Sequence, residues 1–215
     1  MSADDRTERQ SRYRLAATSL MRETTLDALR ELLLERPWPT ITMTDVAVAA
    51  GLSRQTIYKE FRSRRGLAEG YALRLTDSLV TVIESALYEN PGDATTALRE
   101  GYATFFELSG ADPLVMSLHQ GKAPEDLLRL ITTDSNIIIR PAADRLAQTL
   151  QRSWVNSSPD DADIIAHAIV RLALSFIANP PEDTAAASAN TARLFAPFVA
   201  APPPVKGCQP NGVPT

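Results

Sequence analysis

Residues 42 to 61 read TMTDVAVAAGLSRQTIYKEF, and this stretch predicts two short helices joined by a tight turn. Thr42 is suited to cap the first helix, and Asp45 stands where a capping box usually has Glu or Gln. Gly51 lies where the chain must leave the first helix in a left-handed conformation, and Ser53 can cap the second helix. The pattern is typical of a helix-turn-helix, whose second helix enters the major groove of DNA.

The second helix of this motif is basic on the side that it does not bury. The apolar positions that should pack the two helices together are Val46, Ala47, Ala50, Leu52, Ile57 and Phe61. From position 53 to 65 the single acid is Glu60, and the bases are Arg54, Lys59, Arg62, Arg64 and Arg65. A surface helix with a purely structural role usually interleaves acids with its bases. An exposed, cationic first turn suits the major groove, so DNA binding is favoured over an ordinary helical hairpin.

This part of the chain resembles the amino-terminal domain of the TetR family of bacterial transcriptional regulators. The residues that carry the resemblance are Thr42, Asp45-Val46-Ala47, Ala50-Gly51-Leu52-Ser53, Thr56-Ile57-Tyr58, Phe61, Ser63-Arg64 and Leu67. The detailed match covers about residues 22 to 67. The rest of the chain matches the family only in its length and in its helical sequence pattern. One departure is Arg36-Pro37-Trp38-Pro39, where a helix-ending Gly and a polar residue are more usual. Within the family, the stretch looks most like an actinobacterial subgroup linked to alkane and fatty-acid metabolism or lipid export.

The resemblance and the chemistry of the side chains together predict the DNA contacts. Arg54 is assigned to a guanine through its planar fork, and Thr44 and Gln55 to base edges or nearby phosphates. The remaining polar groups should hold the phosphate backbone through hydroxyls, helix-end N–H groups and charge. The full predicted set is Thr42, Thr44, Ser53, Arg54, Gln55, Thr56, Tyr58, Lys59 and Arg64.

The charge of the chain is unevenly distributed. The formal net charge is −4, yet residues 1 to 65 hold 12 Lys plus Arg against 9 Asp plus Glu, a charge of +3. Residues 66 to 215 hold the other 10 and 17, a charge of −7. The basic part coincides with the motif, as expected for a small DNA-binding module on an acidic regulatory body.

Composition and motifs narrow the class of protein further. No stretch approaches about 18 uncharged apolar residues and the polar N-terminus lacks a secretory core, so we expect a cytoplasmic protein without membrane insertion. Cys208 is the only cysteine, and with His119 and His167 as the only histidines a zinc site has too few ligands. The chain has no GxSxG, GxxxxGK[ST], GxGxxG or HExxH motif, so neither an enzyme nor a bound cofactor or metal is expected.

Helical periodicity dominates the rest of the chain, which predicts an all-α protein. We expect a disordered arm over residues 1–12, a helix-turn-helix domain over 13–66, a helical ligand-binding and dimerisation domain over 67–199, and a disordered Pro-rich tail over 200–215. A helix should precede the motif, and a long one should join the two domains. The predicted helices outside the motif are Arg22 to Glu35, Arg64 to Glu89, Asp93 to Leu108, Pro113 to His119, Pro124 to Ile131, Thr133 to Trp154, Pro159 to Ala178 and Thr184 to Phe198.

Bulky apolar residues are concentrated in the middle of the chain. An ordinary core would use the same residue types. The resemblance, however, implies an apolar ligand in this region, and the subgroup points to a long-chain acyl or alkyl effector. The residues predicted to line the ligand site are Tyr102, Phe105, Phe106, Met116, Leu118, Leu128 and Ile138.

The last two predicted helices are too apolar to face water on two sides. In the family that the chain resembles, these helices form a four-helix bundle with a second subunit. The predicted homodimer interface consists of Ile165, Ile169, Leu172, Phe176, Leu194 and Phe195. A symmetric dimer should read a near-palindromic operator in double-stranded DNA.

Taken together, these features predict a ligand-responsive transcriptional repressor that a lipophilic small molecule releases from its operator. Two alternatives stay open at the level of sequence. One is a lipid-binding carrier or enzyme that retains the helix-turn-helix as a scaffold. The other is a regulator that activates transcription.

Overall fold

The computed structural model describes residues 3–120 and 125–200, and over these residues the protein is all-α, as predicted. Predicted and observed bounds of the motif helices and of the long fourth helix agree. The Pro-rich tail after position 200, with Cys208, lies outside the described residues. The helices are α1 Ala3–Glu35, α2 Met43–Ala49, α3 Arg54–Phe61, α4 Arg64–Glu89, α5 Ala94–Gly110, α6 Pro113–His119, α7 Glu125–Ile131, α8 Asn136–Arg152, α9 Pro159–Ala178 and α10 Thr184–Val199.

Helix α1 begins at Ala3 and runs to Glu35, so residues 3–12 of the predicted disordered arm are helical in the structure. The segment before position 36 contains neither Gly nor Pro, so nothing in it interrupts a helix. Arg12 also donates to Glu8 at 2.6 Å, which is the favourable i,i+4 order on a helix.

The chain divides into two compact units. The first contains the described residues within 1–77, 107–138 and 177–179, and the second contains those within 78–106, 139–176 and 180–200. The helix-turn-helix head, by which we mean residues 13–66, lies in the first unit together with α6 and α7.

The core of the first unit joins the head to helices that lie later in the chain. Burial of a large apolar side chain contributes about 1.5–3 kcal/mol, so this shared core is the main force that holds α2 and α3 in place. Its large buried side chains include Leu26, Leu29, Trp38, Ile41, Val46, Ile57, Phe61, Leu67, Tyr71, Leu114, Leu130 and Ile138.

The second unit is built around aromatic side chains. The Tyr102 hydroxyl donates to the Ile169 carbonyl at 3.0 Å, and burial raises the pKa of this phenol. The indole of Trp154 donates to the Leu87 carbonyl at 2.6 Å. Buried polar tips are thus satisfied by backbone groups, which leaves the rings free to pack in the core.

Candidate nucleic-acid interface

The start of α2 is fixed by a reciprocal pair of hydrogen bonds. Thr42 Oγ1 accepts from the Asp45 backbone N–H at 3.2 Å, and Asp45 Oδ2 accepts from the Thr42 backbone N–H at 2.8 Å. The predicted capping box is confirmed, with Asp in the position of Glu. The backbone N–H of Thr42, with a further contribution from Arg36 at 3.3 Å, holds the pKa of Asp45 below its usual value.

The turn between α2 and α3 has the geometry that its sequence predicts. Gly51 has a φ of 65°, in the left-handed region that favours glycine. Ser53 caps α3, because its Oγ accepts from the Thr56 N–H at 3.0 Å and lies 2.7 Å from the Thr56 hydroxyl. The two hydroxyls therefore bond to each other at the N-terminus of α3, which lies at the surface.

Helix α3 separates its side chains into a buried and an exposed face. Ile57 and Phe61 are buried in the core of the first unit, whereas Arg54, Gln55 and Lys59 are exposed. The Arg54 guanidinium carbon lies 5.2 Å from the centre of the Tyr58 ring, and Nη2 is 3.5 Å from its hydroxyl. This arrangement holds a cationic fork at the outer side of the first turn, where a helix reads base edges.

The other predicted contacts divide by exposure. Thr42, Thr44 and Ser53 are exposed at the ends of α2 and α3, and Thr56 is half-buried beside its cap. Eight of the nine predicted DNA-binding residues thus lie on α2, α3 and their caps, with Arg64 outside this group. Their contacts with DNA stay a prediction.

Arg64 is the exception, because it is bound to the interior of the head. Its Nη2 donates to the Trp38 carbonyl, and its guanidinium carbon lies 4.6 Å from the centre of the Trp38 ring. Trp38 is fully buried in the short 3-10 turn Trp38–Thr40, just before the cap of α2. Arg64 therefore ties the start of α4 to the segment that leads into α2, and its role as a phosphate contact stays a prediction. The stretch Arg36-Pro37-Trp38-Pro39, which departs from the family pattern, therefore supplies the Trp38 ring and carbonyl that Arg64 contacts.

The junction between α3 and α4 is unusually tight. Arg62 has a φ of 63° and a ψ of −42°, and the Ser63 N–H donates to the Phe61 carbonyl at 2.6 Å, which forms a strained γ-turn. A Cβ built on Gly66 would lie 2.1 Å from the same Phe61 oxygen. Only glycine lets the first turn of α4 approach the end of α3 this closely.

Two side chains of α4 contact later parts of the first unit. Tyr71 donates to the buried carboxylate of Asp112, which also caps α6 by accepting from the Leu114 N–H at 2.9 Å. Arg65 forms a 2.7 Å ion pair with Asp134, in the loop after α7. Sequence reasoning missed both pairs. The dipeptide Asp112-Pro113 signals a helix start, but no local signal identifies a partner on α4.

The predicted ligand-lining residues fall in different environments. Tyr102, Phe105 and Phe106 lie in the second unit, and Phe106 is 5.1 Å from Phe176 between ring centres. The other four belong to the first unit, where Leu118 and Ile138 pack in the core. Met116 and Leu128 are 45% and 44% exposed. Their role in ligand binding stays a prediction.

The residues of the predicted dimer interface differ in how far they are buried within this chain, and their role in pairing stays a prediction. Ile165, Ile169 and Phe195 are buried within this chain, and Leu172 and Phe176 are half-buried. Of the predicted set, Leu194 is the one side chain that is mostly exposed, at 56%. Two further large apolar residues of α9 and α10, outside the predicted set, are exposed: Ile164, at 67%, and Phe198, at 60%. Periodicity identified the apolar helices but not which face was already covered.

Two further features bear on the class of protein. Within residues 3–120 and 125–200, no group of three or more His, Cys, Asp or Glu side chains could hold a metal ion. In the same part of the chain, no helix is long and apolar enough to cross a membrane.

Comparison with protein families finds two matches along the chain. The model described as "Bacterial regulatory proteins, tetR family" matches residues 26–71. The model described as "Bacterial Tetracyclin repressor, C-terminal domain" matches residues 93–197. The first match covers the helix-turn-helix with the end of α1 and the start of α4, and the second runs from α5 into α10.

Individual proteins show the same similarity. The HTH-type transcriptional regulator AlkX of Mycobacterium tuberculosis is 52% identical over 168 residues, which cover 78% of this chain and 80% of that protein. The crystal structure of the TetR family repressor AlkX from a Dietzia species, implicated in biodegradation of n-alkanes, has a TM-score of 0.77 and 40% identity, covering 82% of this chain and 96% of that one. The TetR family repressor FadR of Thermus thermophilus, in complex with lauroyl-CoA, shares the fold, with a TM-score of 0.52, 18% identity and coverage of 81% and 92%.

Proposed function

This chain belongs to the TetR family of bacterial regulatory proteins, and we propose that it represses transcription from an operator until a long-chain alkyl or acyl compound binds to it. The observation that carries the proposal is the face of α3. Arg54, Gln55 and Lys59 project from a helix whose start is fixed by its Ser53 cap and whose other face is buried. A rigid helix with an exposed cationic surface is the element that reads a major groove.

Base and backbone contacts have different chemistry on this face. Arg54 is suited to guanine, since its planar fork can donate to O6 and N7 together. Lys59 is a flexible point charge and is suited to phosphate. Thr42, Ser53 and Thr56 contribute hydroxyls and helix-end N–H groups, which also favour phosphate.

The effector class is proposed from two supports. The Dietzia protein is a repressor implicated in biodegradation of n-alkanes. In the second unit of this chain, Tyr102, Phe105, Phe106 and Phe176 form a cluster of rings with centres 5.1–6.3 Å apart, the surroundings that an alkyl chain needs. Each CH₂ that a ligand buries contributes about 0.8 kcal/mol, so affinity should rise with chain length until the site is full.

A ligand can release DNA only if it binds the DNA-free conformation more tightly than the DNA-bound one. The same coupling requires that operator DNA lowers the affinity for the effector by an equal factor. Induction can therefore also be tested by measuring the affinity for the effector with and without operator DNA, which needs no reporter gene.

Fluorescence anisotropy with labelled duplexes from the DNA that flanks the gene tests the proposal directly. We expect one near-palindromic fragment to bind, and n-alkanes or fatty acyl compounds of increasing chain length to weaken binding progressively. Phe106→Trp should reduce that response without changing operator affinity, and Tyr88→Trp, at an exposed position of α4, is the matched control. A response that is the same for short and long chains, or unchanged in Phe106→Trp, would reject the lipophilic effector. If no fragment bound, the proposal that the protein regulates transcription from an operator in this DNA would be rejected.

We further propose that two copies pair through the exposed apolar residues of α9 and α10. Ile164, Leu194 and Phe198 present large apolar side chains to solvent, which is unfavourable for an isolated chain. A two-fold dimer would set two copies of α3 about one DNA turn apart. Such a protein acts on DNA in the cytoplasm and carries out no reaction of its own.

A further inference from the structure

The N-terminal segment of α1, by which we mean residues 9–20, is a basic stretch of this helix. Residues 12 to 20 are all exposed, whereas burial in α1 begins at Thr25 and Leu26. From position 9 to 20 the chain has three arginines and no acidic residue. The segment thus adds a concentrated positive charge while it buries little apolar surface, so its role lies at the protein surface.

Arg22 shows where this segment leaves the head. Its Nη1 donates to Glu60 Oε1 of α3 at 2.9 Å, and its guanidinium carbon lies 5.1 Å from the centre of the Phe61 ring. Helix α1 therefore passes the C-terminal end of the recognition helix and continues beyond it. Lys59 and Arg62, at this same end, are exposed. The N-terminal segment of α1 extends the basic surface of the recognition helix.

Helix geometry places the arginines of the segment relative to this contact. At about 100° per residue, Leu15 lies about 20° from Arg22 around the helix axis. Arg12 and Arg14 lie on opposite sides of Arg22, each about 80° from it around the axis. At about 1.5 Å per residue, Arg14 is about 12 Å and Arg12 about 15 Å beyond Arg22 along the axis. Arg12 and Arg14 therefore lie on either side of the face of α1 through which Arg22 contacts α3.

We propose that the N-terminal segment of α1 binds the phosphodiester backbone of duplex DNA just outside the half-site that α3 reads. This inference rests on the proposed function, because it needs a bound operator. A duplex is the partner that the segment fits, since residues 9–20 carry positive charge only and are continuous with the recognition surface, whereas Asp4, Asp5 and Glu8 lie beyond them toward the N-terminus. Arg12 is paired with Glu8, but both side chains are mostly exposed and such pairs contribute little, so phosphate can replace the carboxylate.

The test compares two operator duplexes, one that ends at the outer edges of the half-sites and one with about one extra turn, about 10 base pairs, on each side. Binding is measured by anisotropy over a salt series with the full chain and with Arg12→Ala/Arg14→Ala. Wild type should bind the longer duplex more tightly. The double variant should bind both duplexes equally, and its log–log salt slope should fall in magnitude by about 0.9 for each phosphate that it no longer neutralises.

A matched control removes the same charge elsewhere. Arg140→Ala/Arg152→Ala alters two exposed arginines of α8 and should keep the wild-type slope on both duplexes. A wild-type slope and affinity for Arg12→Ala/Arg14→Ala on the longer duplex would overturn the inference. So would a changed oligomeric state with an unchanged slope, which would identify a protein-binding surface instead. If wild type bound neither duplex, the proposed function itself would fail.

Discussion

Helix α3 and the pair α9–α10 both present side chains to solvent, but the two surfaces have opposite chemistry. The exposed face of α3 carries Arg54, Gln55 and Lys59, while α9–α10 exposes Ile164, Leu194 and Phe198 among small residues. The exposed face of α3 favours binding of a polyanion, and salt weakens that binding. The exposed face of α9–α10 favours any contact that removes its apolar area from water. The difference is what the two proposed partners require, DNA at α3 and a second copy of the chain at α9–α10.

The largest effect should come from a change that displaces α3 and leaves α9–α10 intact. Gly66→Ala places a Cβ 2.1 Å from the Phe61 carbonyl oxygen, so the α3–α4 junction must shift. We expect stability to fall by about 1–3 kcal/mol or more and specific operator binding to disappear, with the dimer retained in light scattering. Gly110→Ala, where no atom lies within 4 Å, is the control and should change stability by less than about 0.5 kcal/mol. Normal operator binding by Gly66→Ala would show that this close approach is not required.

A second change affects the other surface. Leu194→Asp/Phe198→Asp places charge on the exposed apolar face of α10 and should yield folded monomers in light scattering, because neither side chain is buried within the chain. Operator affinity should fall by about 100-fold or more, since a monomer can occupy one half-site but not both. Tyr88→Asp, at a position that is 56% exposed on α4, is the control. A dimer that survives the double substitution would place the interface elsewhere.

A third, smaller effect separates two roles for a positive charge near α3. Arg64→Lys keeps the charge but cannot donate and stack on Trp38 as the planar guanidinium does. We expect about tenfold weaker operator binding, close to 1.4 kcal/mol, with the wild-type salt slope. Lys59→Ala, by contrast, should flatten the slope by about 0.9 per phosphate. If Arg64→Lys binds like wild type and Arg64→Ala flattens the slope, Arg64 binds phosphate after all.

The same two surfaces differ in how far the sequence can predict them. Caps such as Thr42 with Asp45, and Ser53 with Thr56, join residues only three positions apart, so the start of α2 and of α3 followed from local chemistry. The partner of Arg64 is Trp38, 26 positions away, and no local pattern identifies it. Helix periodicity predicted α9 and α10, but the buried face of an apolar helix depends on which neighbours cover it, as Ile164 and Ile165 illustrate.

The most direct test of the central claim, that α3 reads base sequence, is the operator preference of Arg54→Ala. Its affinity should be measured by anisotropy for the operator and for duplexes in which each guanine of a half-site is replaced in turn. We predict that wild type discriminates at one guanine and that Arg54→Ala binds the intact operator about 1–3 kcal/mol more weakly and no longer discriminates at that guanine. Full discrimination at every guanine by Arg54→Ala would contradict the account.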